Sequence, residues 1–216
     1  MDDTAVRAFI VANTEIVTPP LVPEISLRLA SKSVPIWQAT ESALEQIGVE
    51  PPYWAFCWPG GQALARFLID APDRVAGRSV LDFGAGCGIA AIAAARCGGV
   101  AYANEIDPLA NTAVAMNAAL NGVTVTTEPG DLIDSARSGW GIVLAGDICY
   151  ERKFAERAIG WLRRLVRSGS DVLLADPGRA YVPSSGLDAL ACYEVPTSLD
   201  LEDRVSRTCI IWRVLP

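Results

Sequence analysis

Residues 80–88 read Val-Leu-Asp-Phe-Gly-Ala-Gly-Cys-Gly, and no other stretch restricts the fold as much. Val80, Leu81 and Phe83 suit a buried parallel strand. The glycines at 84, 86 and 88 predict a tight turn into an Ala-rich helix over residues 89–96. Such a turn lets a ligand approach the backbone and leaves amides free at a helix N-terminus. Its spacing is not that of a dinucleotide fingerprint, which needs a Gly or Ala three positions after the second glycine. Gly88 comes too early, and Ile89 fills the required position. A Walker phosphate loop is excluded as well, because no Gly-Lys-Ser/Thr follows. For the stretch alone, a turn that merely packs a helix onto a strand remains the competing reading.

Beyond this turn, strand and helix alternate. Gly98-Gly99 closes the first helix, and residues 100–103 predict a second strand ending in Glu105, 21 residues after Gly84. A parallel βαβ unit places an acid there, on ribose hydroxyls, and a solvated strand end is the plainer alternative. Asp107-Pro108 suits an N-cap and first turn. Leu109, Ala113, Met116 and Leu120 give that helix an apolar stripe, and Asn121-Gly122 stops it. Residues 123–126 predict the third strand. Gly130-Asp131-Leu132 follows, placed for Asp131 to accept from an adenine amino group while Leu132 touches the ring. An exposed Asx turn explains Asp131 almost as well.

Residues 141–146 predict the fourth strand, which delivers Asp147-Ile148-Cys149-Tyr150-Glu151 at its carboxyl end, the edge where open α/β sheets bind ligands. A helix over residues 152–168 turns Phe154, Ala158, Leu162 and Leu165 inward and its arginines to solvent. Residues 171–175 predict the fifth strand, ending in Asp176-Pro177-Gly178-Arg179. Residues 190–195 and 205–214 close the sheet. The expected fold is α/β: a Rossmann-like seven-stranded mixed sheet, strands six and seven an antiparallel closing pair, with helices on both faces.

Ahead of the turn, residues 4–12 predict a short helix, residues 25–29 an edge strand and residues 35–47 a further helix. Residues 51–66 (Pro-Pro-Tyr-Trp-Ala-Phe-Cys-Trp-Pro-Gly-Gly-Gln-Ala-Leu-Ala-Arg) form a stiff aromatic wall, and Gly60-Gly61 opens a helix. Trp58 suits packing against an apolar ligand chain, with the amides near Gly60 receiving a carboxylate. A core-filling aromatic cluster is the alternative.

The sequence has no histidine, which removes His triads, His-ligated metals and an imidazole base together. Its six cysteines include no Cys-x-x-Cys pair and read as reduced thiols, with no metal site. A net charge of −7 speaks against a sequence-independent grip on nucleic acid and favours a cationic partner. No apolar run reaches membrane-spanning length, and the acidic Met1-Asp2-Asp3 start leads to the expectation of a cytoplasmic protein.

The order of strand, glycine turn, acid after strand two, Gly-Asp-Leu and Asp-x-x-Tyr resembles the class I, seven-β-strand S-adenosylmethionine-dependent methyltransferases. Trp58-Pro59-Gly60-Gly61 with Asp147-x-x-Tyr150 is similar to protein-lysine methyltransferase family 16. Pro35-Ile36-Trp37, Trp54-Ala55-Phe56, Leu81-Asp82-Phe83, Leu144-Ala145-Gly146-Asp147, Asp176-Pro177-Gly178-Arg179 and Val195-Pro196-Thr197 resemble the electron transfer flavoprotein β-subunit lysine methyltransferases of mitochondria and α-proteobacteria. The resemblance spans about residues 20–216. It implies a single methyltransferase domain over residues 1–216, with residues 1–50 a substrate-side extension and 51–216 the cofactor-binding and catalytic core.

It also implies S-adenosyl-L-methionine as cofactor, held by Trp58, Gly60, Asp82, Gly84, Gly86, Gly88, Glu105, Ile106, Asp131, Leu132 and Asp147. Asp147, Tyr150 and Glu151 become the catalytic group around a lysine channel. The implied partner is the electron transfer flavoprotein β subunit, whose lysine-bearing recognition loop meets dehydrogenases, and a monomeric enzyme is expected. Glu105 stands where many relatives carry Asp, a change ribose tolerates. Rival readings are a methyltransferase of a ribosomal-protein lysine or of a small amine such as nicotinamide, and a silent cofactor-binding module. The intact 147–151 run argues against the last.

Overall fold

Val80 and Leu81 point to opposite faces of one strand, and both faces are covered. The computed structural model describes residues 2–30, 52–133, 135–197 and 204–216. In chain order the elements are α1 (Asp3–Ala12), β1 (Glu15–Val17), β2 (Leu27–Leu29), α2 (Pro59–Asp70), β3 (Ser79–Phe83), α3 (Ile89–Arg96), β4 (Val100–Glu105), α4 (Pro108–Leu120), β5 (Val125–Pro129), β6 (Ile142–Gly146), α5 (Arg152–Arg167), β7 (Asp171–Asp176), β8 (Leu187–Pro196) and β9 (Ser206–Val214). The predicted helix over residues 35–47 lies outside the described residues.

The main sheet runs β5-β4-β3-β6-β7-β9-β8. Strands β3 to β7 are parallel, and β9 runs antiparallel to both of its neighbours. This is the expected seven-stranded mixed sheet, with one detail of the closing pair clarified. The last strand inserts between β7 and β8, so β8 is the edge, which suits the apolar side chains on both faces of β9. On one face, α2, α3 and part of α4 bury Leu64, Ile92 and Val114 against Val80 and Leu144. On the other, α5 buries Trp161 and Leu162 against Leu81 and Phe83.

Strand register fixes where the loops emerge. Phe83 lies opposite Asn104 on one side and Ala145 on the other. The next residues, Gly84, Glu105 and Gly146, therefore leave the sheet at one level, at the point where strand order reverses.

Two expectations change. The residue 25–29 strand does not flank the main sheet: Leu27–Leu29 pairs with Glu15–Val17 in a separate antiparallel ribbon. The third strand runs from Val125 to Pro129 rather than over 123–126. The ribbon is tied to α4, where Asn117 Oδ1 accepts from Arg28 N at 2.8 Å and Asn121 exchanges bonds with both backbone groups of Ser26. No helix among the described residues is long and apolar enough to cross a membrane.

Candidate active site

The turn after β3 follows the sequence reading. Gly84, Gly86 and Gly88 have φ of 64, 54 and 81°, angles that cost a side-chain-bearing residue strain. A Cβ at Gly86 would meet nothing within 4 Å, so the turn borders open space. Asp82 stands two residues before the turn. It is 3% exposed, and Oδ2 accepts from Ala91 N at 2.9 Å, anchoring the start of α3. Burial pushes its pKa up to about 7.

At the end of β4, Glu105 Oε1 accepts from Gly86 N at 2.7 Å and Oε2 from Ile106 N at 3.2 Å. Burial raises its pKa against the pull of those amides. Ile106 beside it is 71% exposed. Asp107 caps α4 as expected, accepting from Leu109 N. Beyond β5, Asn104 Nδ2 donates to the carbonyls of Glu128 and Gly130 and fixes the next loop. There Asp131 forms the alternative Asx-type contact, accepting from Ile133 N at 2.8 Å, with Arg157 at 3.5 Å. Leu132 is buried in the α5-side core.

Asp147 is the only described non-glycine residue with a positive φ, at 58°. Its Oδ2 accepts from Gly60 N at 2.6 Å and Gly61 N at 3.2 Å, capping α2 from across the sheet edge. Gly60 and Gly146 are required by this packing. A Cβ at Gly60 would lie 2.6 Å from both Ala175 O and Asp147 Oδ2, and one at Gly146 would lie 2.9 Å from Gly61 N. The amides near Gly60, expected to receive a ligand carboxylate, are thus taken by a carboxylate of the chain itself. Burial pushes Asp147 up to about 7, opposed by Arg179 and the two amides and aided by Asp176.

Glu151 is likewise occupied. It is the N-cap of α5, Oε1 accepting from Lys153 N and Oε2 from Phe154 N, and these amides lower its pKa. Tyr150 instead points outward. It is 59% exposed, its ring lies 5.4 Å from that of Phe154, and burial of its phenol raises the pKa, with Tyr53 and Glu105 adding to the rise. Trp58 precedes α2, donates from Nε1 to Tyr53 O at 3.0 Å and packs against the rings of Tyr53 and Phe56.

Two residues were quoted in the sequence stretches without a role and enter the site here. Tyr53, 57% exposed, joins Trp58 and Tyr150 in an aromatic rim. Arg179 places its guanidinium 5.8 Å from the Trp58 ring centroid and Nη2 3.4 Å from Asp147 Oδ1. The usable signal for Arg179 was its place in a turn after a parallel strand; Tyr53 had only its aromatic neighbours. A cavity of about 300 Å³ lies beside them, lined by Tyr150, residues 177–180 and Arg207. The described residues contain no group of His, Cys, Asp and Glu that could hold a metal ion, and the cysteines are free thiols.

The edge thus offers an open glycine turn, an acid at the end of β4 and an aromatic, carboxylate-bearing mouth. Residues 64–145 match the family model described as "Ribosomal protein L11 methyltransferase (PrmA)". The chain is 41% identical to the "Electron transfer flavoprotein beta subunit lysine methyltransferase" of Xenopus laevis, over 99% of this chain and 88% of that protein. The Homo sapiens protein of the same name is 39% identical, over 82% of this chain and 68% of its own length. Among solved structures, the ribosomal protein L11 methylase of Lactobacillus delbrueckii subsp. bulgaricus superposes with a TM-score of 0.55 at 19% identity, covering 94% of this chain and all of that one. The magnesium protoporphyrin IX methyltransferase of Synechocystis PCC 6803, solved with bound SAH, gives 0.54 at 17% identity over 72% and 81%.

Proposed function

The chain belongs to the electron transfer flavoprotein β-subunit lysine methyltransferases, and we propose that it methylates lysines of that β subunit with S-adenosylmethionine. One observation carries the reading beyond family membership. The glycine turn and Glu105 meet the Asp147-x-x-Tyr150 run at a single sheet edge, with an aromatic rim between them.

The residues present fit the cofactor. The open side of Gly86 leaves room for a ligand against the backbone, and Glu105 offers carboxylate oxygens where a ribose diol donates. The exposed face of Ile106 suits an adenine ring, and Asp131 lies on the loop beyond it. When bound, S-adenosylmethionine supplies a methyl group on a sulfonium. The chain's own work is positional: Tyr53, Trp58 and Tyr150 narrow the mouth around an incoming lysine, and a neutral amine held in line needs little further assistance. With no histidine in the sequence, the ammonium gives its proton to water. Asp147 sits at the end of β6 to attract and orient that group. Glu151 supports it indirectly, by starting α5 where Tyr150 must project.

The ribbon and α1, docked on α4, form the described part of the substrate-side extension. Free cysteines throughout suit a reducing compartment such as the cytoplasm. The test is mass spectrometry of purified flavoprotein incubated with the enzyme and methyl-labelled cofactor. Label on β-subunit lysines is expected. An unlabelled flavoprotein beside a labelled ribosomal protein or nicotinamide overturns the assignment.

A further inference from the structure

The turn after β7 carries a cation to the end of β6. Asp176 is fully buried at the strand end, and its Oδ1 accepts from Arg179 N at 2.6 Å. Gly178, at φ 85°, lets the chain reverse in between. The turn therefore sends the Arg179 side chain back over the end of β6 rather than out to solvent. There Nη2 reaches Asp147 Oδ1 at 3.4 Å, and the guanidinium lies 5.8 Å from the Trp58 ring centroid. The Asp147 side chain is 10% exposed and that of Arg179 24%, so the pair is poorly screened. The two Asp147 oxygens are divided between partners: Oδ2 faces the Gly60 and Gly61 amides, Oδ1 faces Arg179.

We propose that Arg179 is a positioning residue for methyl transfer, holding the Asp147 carboxylate in place as an anion and bracing it against Trp58 at the lysine mouth. This rests on the reading of Asp147 given above.

The charged and titratable groups around Asp147 make the case for a dedicated cation. Asp176 from β7 repels it. The thiols of half-buried Cys57 before α2 and of buried Cys149 on its own segment and Cys209 on β9 supply no positive charge. Against burial and Asp176, the favourable partners are two amides and one guanidinium. Arg179 also limits the attraction that Asp147 exerts on a lysine ammonium. The carboxylate can then orient the acceptor without holding its proton on, which the neutral nucleophile requires.

The test is a carboxyl ¹³C NMR titration of Asp147 in the intact chain, with pH profiles of kcat/KM on the flavoprotein. Arg179→Gln should move the Asp147 midpoint upward by about one pH unit, and Arg179→Lys should restore most of it. Turnover of Arg179→Gln should fall about 5-fold near pH 7 and recover above about pH 9, where the carboxylate ionises again. If Arg179→Gln does not fold, Gly178→Ala keeps the charge but strains the turn, and its midpoint should also rise. An unmoved midpoint, or a loss equal at every pH, overturns the proposal. Asp147→Asn separates the two ideas. A fully active Asp147→Asn sinks the Asp147 reading whatever Arg179 does, whereas an inactive one with an unmoved midpoint in Arg179→Gln sinks Arg179 alone.

Discussion

A carboxylate at a helix N-terminus gains from the amides and loses its water, and at Asp82 and Asp147 the loss prevails. Both pKa values rise to about 7 because burial outweighs the amides they accept from. The sign for stability follows. Between the ordinary carboxylate value and about 7 the folded chain holds protons that the unfolded chain has released, so the contribution of these groups falls as pH rises through that window. Asp82→Asn, which cannot ionise, should flatten the decline, as urea unfolding at about pH 5 and about pH 8 will show. A wild-type chain whose stability does not fall between those conditions, or an Asp82→Asn slope equal to the wild type's, contradicts this. Glycines divide by what surrounds them. Gly60→Ala drives a methyl to 2.6 Å from Ala175 O and should cost about 2–3 kcal/mol or more in unfolding free energy. Gly86→Ala meets open space and should cost about 1–2 kcal/mol from φ strain. Its larger effect should be on cofactor affinity, measured by calorimetry, because the new methyl fills the ligand's approach. Equal destabilisation by the two, with cofactor binding intact in Gly86→Ala, would deny the turn its role.

Helix ends do most of the placing at the scale of elements. Glu151 caps α5 and thereby fixes where Tyr150 projects, while Asp147 caps α2 across the sheet edge. Glu151→Ala should lower Tm by a few degrees and slow methyl transfer modestly. Asp147→Asn should leave a folded, cofactor-binding protein at least ~100-fold slower. Comparable rates for the two would place the acceptor mouth elsewhere. Asn117, in the last turn of α4, ties that helix to the glycine turn and the ribbon: it is fully buried, donates to Cys87 O at 2.9 Å and accepts from Arg28 N. Asn117→Leu strands both partners and should cost about 2–4 kcal/mol. Proteolysis should then cut first within residues 2–30. Cleavage beginning elsewhere would mean that the ribbon is held by other contacts. The helices, the Asp107 cap of α4 and the five parallel strands were legible because their periods and stop signals are local. Strand β2 was legible in its alternation, but its pairing was not, since Glu15–Val17 is too short to show any pattern. Nor was the Asp147–Gly60 clasp, whose partners are 87 residues apart and meet only where the start of α2 packs over the ends of β6 and β7. Glu151 and Leu132 looked functional by sequence neighbourhood, yet an N-cap and a core position draw on the same residue types.

Across the whole molecule, the proposed function assigns cofactor and acceptor to different stretches. The match to the family model named for ribosomal protein L11 methylation ends at residue 145, two residues before Asp147. It therefore covers the glycine turn and Glu105, which any acceptor can share, and stops short of the lysine mouth. The relatives named for the flavoprotein β subunit run on through that mouth and the β7 turn. The acceptor should be a protein surface by charge as well. An enzyme of net charge −7 repels acidic partners and draws a lysine-bearing loop. That attraction acts over the Debye length, about 10 Å at 0.1 M salt and about 3 Å at 1 M. Raising salt across this range should therefore lower kcat/KM for the flavoprotein through KM, while kcat and cofactor affinity change little. Replacing the loop lysines by arginine keeps the attraction and removes the nucleophile the enzyme uses. The substituted flavoprotein should still inhibit methylation of the wild-type protein, more weakly as salt rises, and take up no label itself. Label on the arginine-substituted loop would keep the partner and move the site. Salt-independent kcat/KM would show that short-range fit at the aromatic mouth, and not the acidic surface, selects the acceptor.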